Sequence, residues 1–69
     1  MIHSINAELT SIIEELDAAV TDATKFDTGN DTAGTRVRKA ANEARARLLG
    51  LRAMVVEVRK ERAAAAGRA

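Results

Sequence analysis

The chain has no cysteine, proline, tryptophan or tyrosine among its 69 residues, and Phe26 is its single aromatic residue. Without cysteine no disulfide stabilises a core this small, so self-association is the simplest remaining stabiliser. The absence of cysteine fits either a reducing compartment or a fold that needs no disulfide. The absence of proline and the abundance of alanine, arginine, glutamate and leucine favour helix. One aromatic ring argues against a β-sandwich and against the stacking platforms that bind RNA or single strands.

Long apolar segments are absent as well. No run of apolar residues approaches the ~20 that a membrane helix needs. The first ten residues, MIHSINAELT, have neither the basic leader nor the apolar core of a secretory signal. We therefore expect a cytoplasmic protein without a membrane partner.

Apolar residues recur at alternating steps of three and four in both halves of the chain. This is the heptad spacing of packed α-helices, and no strand pattern fits it. We expect one all-α domain over residues 1–69, with a helix over about 3–26, a bend at about 27–30, a helix over about 31–65 and a frayed end at 66–69. The two series are Ile2, Ile5, Leu9, Ile12, Leu16, Ala19, Ala23 and Phe26, and then Val37, Ala41, Ala44, Leu48, Leu51, Val55 and Val58.

The bend itself has a local signature. Gly29 suits the left-handed position just past a helix end, and Asn30 and Asp31 suit the start of the next helix. A connection this short predicts an antiparallel hairpin in which the numbers of facing residues add up to roughly 60. Gly34 then lies beside Phe26, where a missing side chain lets the helices approach closely. The alternative is that Gly34 only loosens the first turn.

Both helices carry more apolar surface than one contact line uses. Two hairpins packed as a four-helix bundle would bury the remainder, so we expect a dimer or a higher homo-oligomer. The residues expected at this interface are Ile13, Val20, Ala46, Leu49, Ala53 and Val56.

Charge divides the chain at the bend. Residues 1–34 contain seven acids and one base, and residues 35–69 contain ten bases and three acids, so the halves carry −6 and +7. Such asymmetry indicates either a polyanionic partner or two segments that pair with each other.

Two charged sets recur every seven residues, and each lines one edge of a helix. One interpretation is that they pair across the hairpin or between subunits, with an effect mainly on orientation and partner choice, because exposed pairs contribute only ~0–1 kcal/mol each. The sets are Arg38, Arg45, Arg52 and Arg59 on the second helix, and Glu8, Glu15 and Asp22 on the first.

Three basic residues stand where the helix dipole opposes them, in the first two turns of the second helix. Charges placed against a local preference are candidates for function. One interpretation is contact with phosphate, and the other is a solvated helical face. The three residues are Arg36, Arg38 and Lys39. The candidate DNA-binding residues are these three together with others further along the same helix: Arg45, Arg52, Arg59 and Lys60.

The run GNDTAGTRVRKAANEARARL, followed by VRKERAA at residues 58–64, resembles the helical segment of bacterial linker-histone-like nucleoid proteins, the histone-one-like family. The resemblance covers about residues 22–64. It implies a double-stranded DNA-binding protein of the nucleoid or of a packaged genome. Because no base-reading module is recognisable in the sequence, we expect little sequence preference. The matching positions are Gly29, Asn30, Ala33, Gly34, Arg36, Arg38, Lys39, Arg59 and Lys60.

Familiar members of that family continue into a Lys/Ala/Pro-rich tail, whereas this sequence ends in AAAAGRA. The missing tail and the near-zero net charge keep a second function open. In that alternative the chain is a structural assembly module of a virus particle or larger complex that does not bind DNA.

Other chemistry finds no support. Gly29 and Gly34 have the spacing of a P-loop, but Thr35 stands where lysine is needed. Thr32 occupies the glycine position of a possible calcium loop. His3 is the only histidine, so neither metal binding nor histidine-based catalysis has partners. We expect no catalytic residues, no metal, no cofactor and no small-molecule substrate, and hence no enzyme.

Overall fold

The computed structural model describes residues 4–67, which form two α-helices, α1 over Ile5–Asp27 and α2 over Asp31–Gly67. The helices fold back on each other as an antiparallel hairpin, and these residues contain no strand. The molecule measures 61 × 16 × 15 Å, because α2 is much longer than α1 and projects beyond it. The all-helical hairpin that the heptad series predict is confirmed.

The helix ends follow from local capping. Ser4 caps α1, since its Oγ accepts a hydrogen bond of 3.1 Å from the backbone N–H of Ala7. The predicted start at residue 3 lies outside the described residues. At the other end α2 continues through Gly67, two residues past the expected end, because residues 63–66 are all alanine, the strongest helix former. Of the end expected to fray, residues 66 and 67 are helical, and 68 and 69 lie outside the described part.

The bend is built as the glycine and asparagine predict. Gly29 has a φ of +109°. Its N–H donates to the carbonyl of Phe26 at 3.0 Å, while the N–H of Asn30 donates to the carbonyl of Lys25 at 3.0 Å. These two bonds form a Schellman motif, which satisfies the last carbonyls of α1. The Oδ1 of Asn30 then accepts from the N–H of Ala33 at 3.2 Å and caps α2.

Gly34 allows the helices to approach each other at the bend. A Cβ atom at this position would lie 2.6 Å from Cδ1 and 2.7 Å from Cε1 of Phe26, so the ring occupies the space that any side chain would need. The interpretation of Gly34 as a close-approach residue is therefore supported. The contact between Phe26 and Gly34 agrees with the predicted register of the hairpin, in which the numbers of facing residues add up to roughly 60.

The hairpin buries few residues. Only Ile12, Ala33 and Ala44 are buried among the apolar residues of the described chain. Several residues of the predicted contact line are instead substantially exposed: Leu9 by 41%, and Leu16 and Leu48 by 40% each. A single hairpin therefore has only a small core.

The predicted contact line on α2 is half wrong. Val37, Ala44, Leu51 and Val58 face α1 as expected, but the alternating positions Ala41, Leu48 and Val55 are exposed. Their place is taken by residues one position earlier, which are half-buried: Ala40, Arg47 and Met54. The apolar pattern missed this rotation because a charged residue, Arg47, forms part of the contact.

Two glycines provide a test of the bend. Gly29→Ala should lower the free energy of unfolding by about 1–2 kcal/mol, since a Cβ penalises positive φ. Gly50→Ala should raise it by about 1 kcal/mol, because Gly50 lies inside α2 with nothing within 4 Å of an added Cβ. Urea unfolding followed by circular dichroism measures both. Equal effects at the two positions would contradict the left-handed conformation of Gly29.

Candidate nucleic-acid interface

One edge of the hairpin is joined by a charged cluster around Arg47. Its Nη2 donates to Oε1 of Glu8 at 2.9 Å and to Oγ of Ser11 at 3.0 Å, and its Nη1 forms an ion pair with Glu15. The hydrogen bonds that the Arg47 guanidinium donates to Glu15 and Glu8 raise its pKa above the ordinary value. The Arg47 side chain is only 26% exposed, so this cluster belongs to the helix contact.

Arg47 was not predicted as a contact residue, since it belongs to neither of the two recurring charged sets. A signal for it existed. The numbers of facing residues add up to about 60, so Arg47 is expected opposite a position between Glu8 and Glu15. These two acids lie one heptad apart.

Arg36 makes the second ion pair between the helices. Its Nε donates to Oδ1 of Asp22 at 2.8 Å. Together with the Arg47 cluster, this pair engages all three acids of the predicted set. The interpretation that these acids pair within the chain with the arginines recurring from Arg38 is therefore wrong, because Arg36 and Arg47 occupy them.

The four recurring arginines, here called the arginine row, lie on a different side of α2. Each follows one of the residues that face α1, and so lies about 100° further round the helix. All four are exposed, and within residues 4–67 none of them forms an ion pair or a side-chain hydrogen bond. The row runs for about 32 Å at 1.5 Å per residue. Its members are Arg38, Arg45, Arg52 and Arg59.

The other candidate DNA contacts divide between two places. Lys39 and Lys60 come two residues after Val37 and Val58, and hence point away from α1, about 200° from the contact line. Both are exposed. Arg36 is set apart, because it lies at the edge with Asp22, although its side chain remains 47% exposed.

Beside the arginine row lies an exposed apolar surface, here called the apolar face. A shallow groove of about 380 Å³ lies between the helices and is lined by the central residues of this face, with Arg45 and Arg52 at its border. The face comprises Leu9, Ile13, Leu16 and Val20 of α1 and Ala41, Leu48 and Val55 of α2.

The residues expected at an oligomer interface do not all share this face. Ile13 and Val20 belong to it, Leu49 lines its groove, and these three side chains are 55–58% exposed. Ala46 and Ala53 are exposed but lie about 200° round α2 from Ala44 and Leu51, on the side away from α1. Val56 is 50% exposed and follows Leu49 by one heptad.

Residues 4–67 contain no group of acidic or histidine side chains placed to hold a metal ion. Neither helix there combines the length and hydropathy needed to cross a bilayer. His3 lies outside the described residues.

An unpaired row of arginines on a long helix is typical of a protein that binds a polyanion such as nucleic acid. The family described as Histone H1-like protein Hc1 has a model that matches residues 6–68, and the chain belongs to this family. The resemblance seen in the sequence is thereby confirmed, and membership indicates a structural, DNA-binding nucleoid protein. No curated protein and no solved structure matches the chain significantly.

The role of Arg47 can be tested against an arginine of the row. Arg47→Glu places a third carboxylate beside Glu8 and Glu15, so the hairpin should unfold at lower temperature and lower urea than the wild type. Arg52→Glu makes the same change of charge at an exposed position and should leave stability nearly unchanged, within about 0.5 kcal/mol. Circular dichroism melts compare the two variants. Adding Glu8→Arg and Glu15→Arg to Arg47→Glu should restore stability. No rescue would contradict the stabilising role of the ion pairs around Arg47.

Proposed function

We propose that this protein binds double-stranded DNA without sequence preference and organises a nucleoid or packaged genome. The observation that carries the proposal is the arginine row, which has no acidic partner within the described hairpin. Family membership supports DNA as the polyanion. In this proposal the row, Lys39 and Lys60 contact the duplex, and Arg36 contributes through the exposed part of its side chain.

Charge segregation supports this role despite a net charge of only +1. Helix α1 contains six acids and one lysine, whereas α2 contains nine bases and four acids, so the helices carry −5 and +5. The ion pairs of Arg47 and Arg36 hold three of the acids at the helix contact. The side of α2 that carries the arginine row is therefore the surface that we propose attracts phosphates.

The chemistry of the contact explains the expected lack of sequence preference. A guanidinium binds phosphate oxygens with a planar pair of N–H groups and needs no aromatic neighbour. Contacts to phosphate position a protein on the duplex but carry no sequence information. Arginines spaced about 10 Å apart along a straight helix edge suit a series of such contacts.

A salt series tests the proposal. If four phosphates are neutralised, log affinity should fall with log salt at a slope of about −3.6, so a fourfold rise in salt weakens binding roughly a hundredfold. Arg52→Gln with Arg59→Gln should reduce the slope to about −1.8 and the loss to roughly tenfold. Fluorescence anisotropy with duplexes of unrelated sequence measures this, and all duplexes should respond alike.

The matched control makes a charge change of the same size on the other helix. Thr21→Glu with Lys25→Gln also lowers the net charge by two, at exposed positions of α1. Its salt slope should stay near that of the wild type. If both double variants lose affinity equally, general charge and not the arginine row carries binding. If the wild type fails to bind at low salt, the alternative of an assembly module without DNA binding takes over, which the exposed apolar face favours.

A further inference from the structure

We propose that a second copy of this chain covers the apolar face, with α1 of one copy lying over α2 of its partner. The inference concerns self-association and does not depend on DNA binding. It assigns the contact to residues that the apolar periodicity had placed inside a single hairpin, chiefly Leu9, Leu16, Ala41 and Leu48.

The area that one hairpin exposes is large enough for an interface with a second copy. A folded monomer of 7.4 kDa is expected to expose about 4,200 Å², whereas this hairpin exposes 5547 Å². The excess of about 1,300 Å² exceeds the roughly 800 Å² per partner that a standard stable interface buries. Nine large apolar residues are at least 37% exposed. A second hairpin presents a surface of matching shape and chemistry.

Charge decides between the two orientations of a symmetric dimer. A two-fold axis running across the helices places α2 over the partner's α2, which brings the two arginine rows to one rim. Like charges placed together at an interface oppose association. A two-fold axis running along the helices places α2 over the partner's α1, where the exposed acids Asp17 and Asp27 form no ion pair within residues 4–67. The second orientation is complementary in charge.

The two orientations differ in which residues meet their own copies. With the axis along the helices, every residue on this side of the hairpin keeps its level. Leu9 then lies near Leu9 of the partner. Ala23, which borders the apolar face in a groove with Val20 and Ala41, lies near Ala23 of the partner. With the axis across the helices, positions along the helix axis are reversed in the partner. Only residues close to the two-fold axis then lie near the same residue of the partner. Leu9 and Ala23 are separated by about 21 Å along α1, and so cannot both satisfy that arrangement.

Single cysteines test this directly, because the natural chain has none. Leu9→Cys and Ala23→Cys, each treated with a short bifunctional maleimide, should both yield a covalent dimer on a denaturing gel. The matched control is Ala18→Cys, which is exposed and lies about 200° round α1 from Leu16. It should remain mostly monomeric. Circular dichroism confirms that each variant retains its helices, and sedimentation of the untreated wild type should show a dimer.

Every other outcome overturns the proposal. Cross-linking at only one of the two positions places the axis across the helices. Cross-linking at Ala18→Cys but at neither test position assigns a different surface. A wild type that sediments as a folded monomer at high concentration excludes the dimer. None of these results alters the salt-dependent DNA binding of the wild type, so failure here is distinguishable from failure of the proposed function.

Discussion

The position of Arg47 between Glu8 and Glu15 determines how the rest of the hairpin is arranged. Because its guanidinium is held by acids on α1, α2 is rotated so that Ala40 and Met54 turn inward with it. The same rotation brings Leu48 to the surface and carries the arginine row to the side without acidic partners. One polar contact thus sets which surface is left for a second copy and which for a polyanion.

The sequence was sufficient for those features that single residues dictate. Gly29 and Asn30 can hardly be placed elsewhere than at a helix end and a helix start, and the predicted bend follows from them. The heptad series predicted the helices, and the register followed from the bend. The rotation of α2 was not predictable by the same means, because heptad reasoning assigns apolar residues to the contact and excludes an arginine from it. The acids of α1 were recognised as a set, but their partners Arg47 and Arg36 were not.

Separation of charge links the fold to the proposed activity. A chain with nearly equal numbers of acids and bases binds a polyanion poorly if the two are mixed on one surface, since the acids repel phosphate. Folding about Gly29 places most acids on α1 and most bases on α2. The ion pairs at their shared edge then use three acids and only two arginines. The hairpin is therefore a device that exposes unpaired arginines despite a small net charge.

Dimer orientation has a further consequence for how DNA is held. With α1 of each copy over α2 of its partner, the two-fold axis carries one arginine row to one edge of the bundle and the second row to the opposite edge. A single straight duplex reaches only one of these edges, because the bundle stands between them. The proposed dimer would therefore hold two duplex segments side by side, with its acids between the rows. In the rejected orientation both rows share a rim, and one duplex would bind along it and relieve their mutual repulsion. If both proposals hold, the symmetry of self-association decides whether such a protein bridges DNA or coats it.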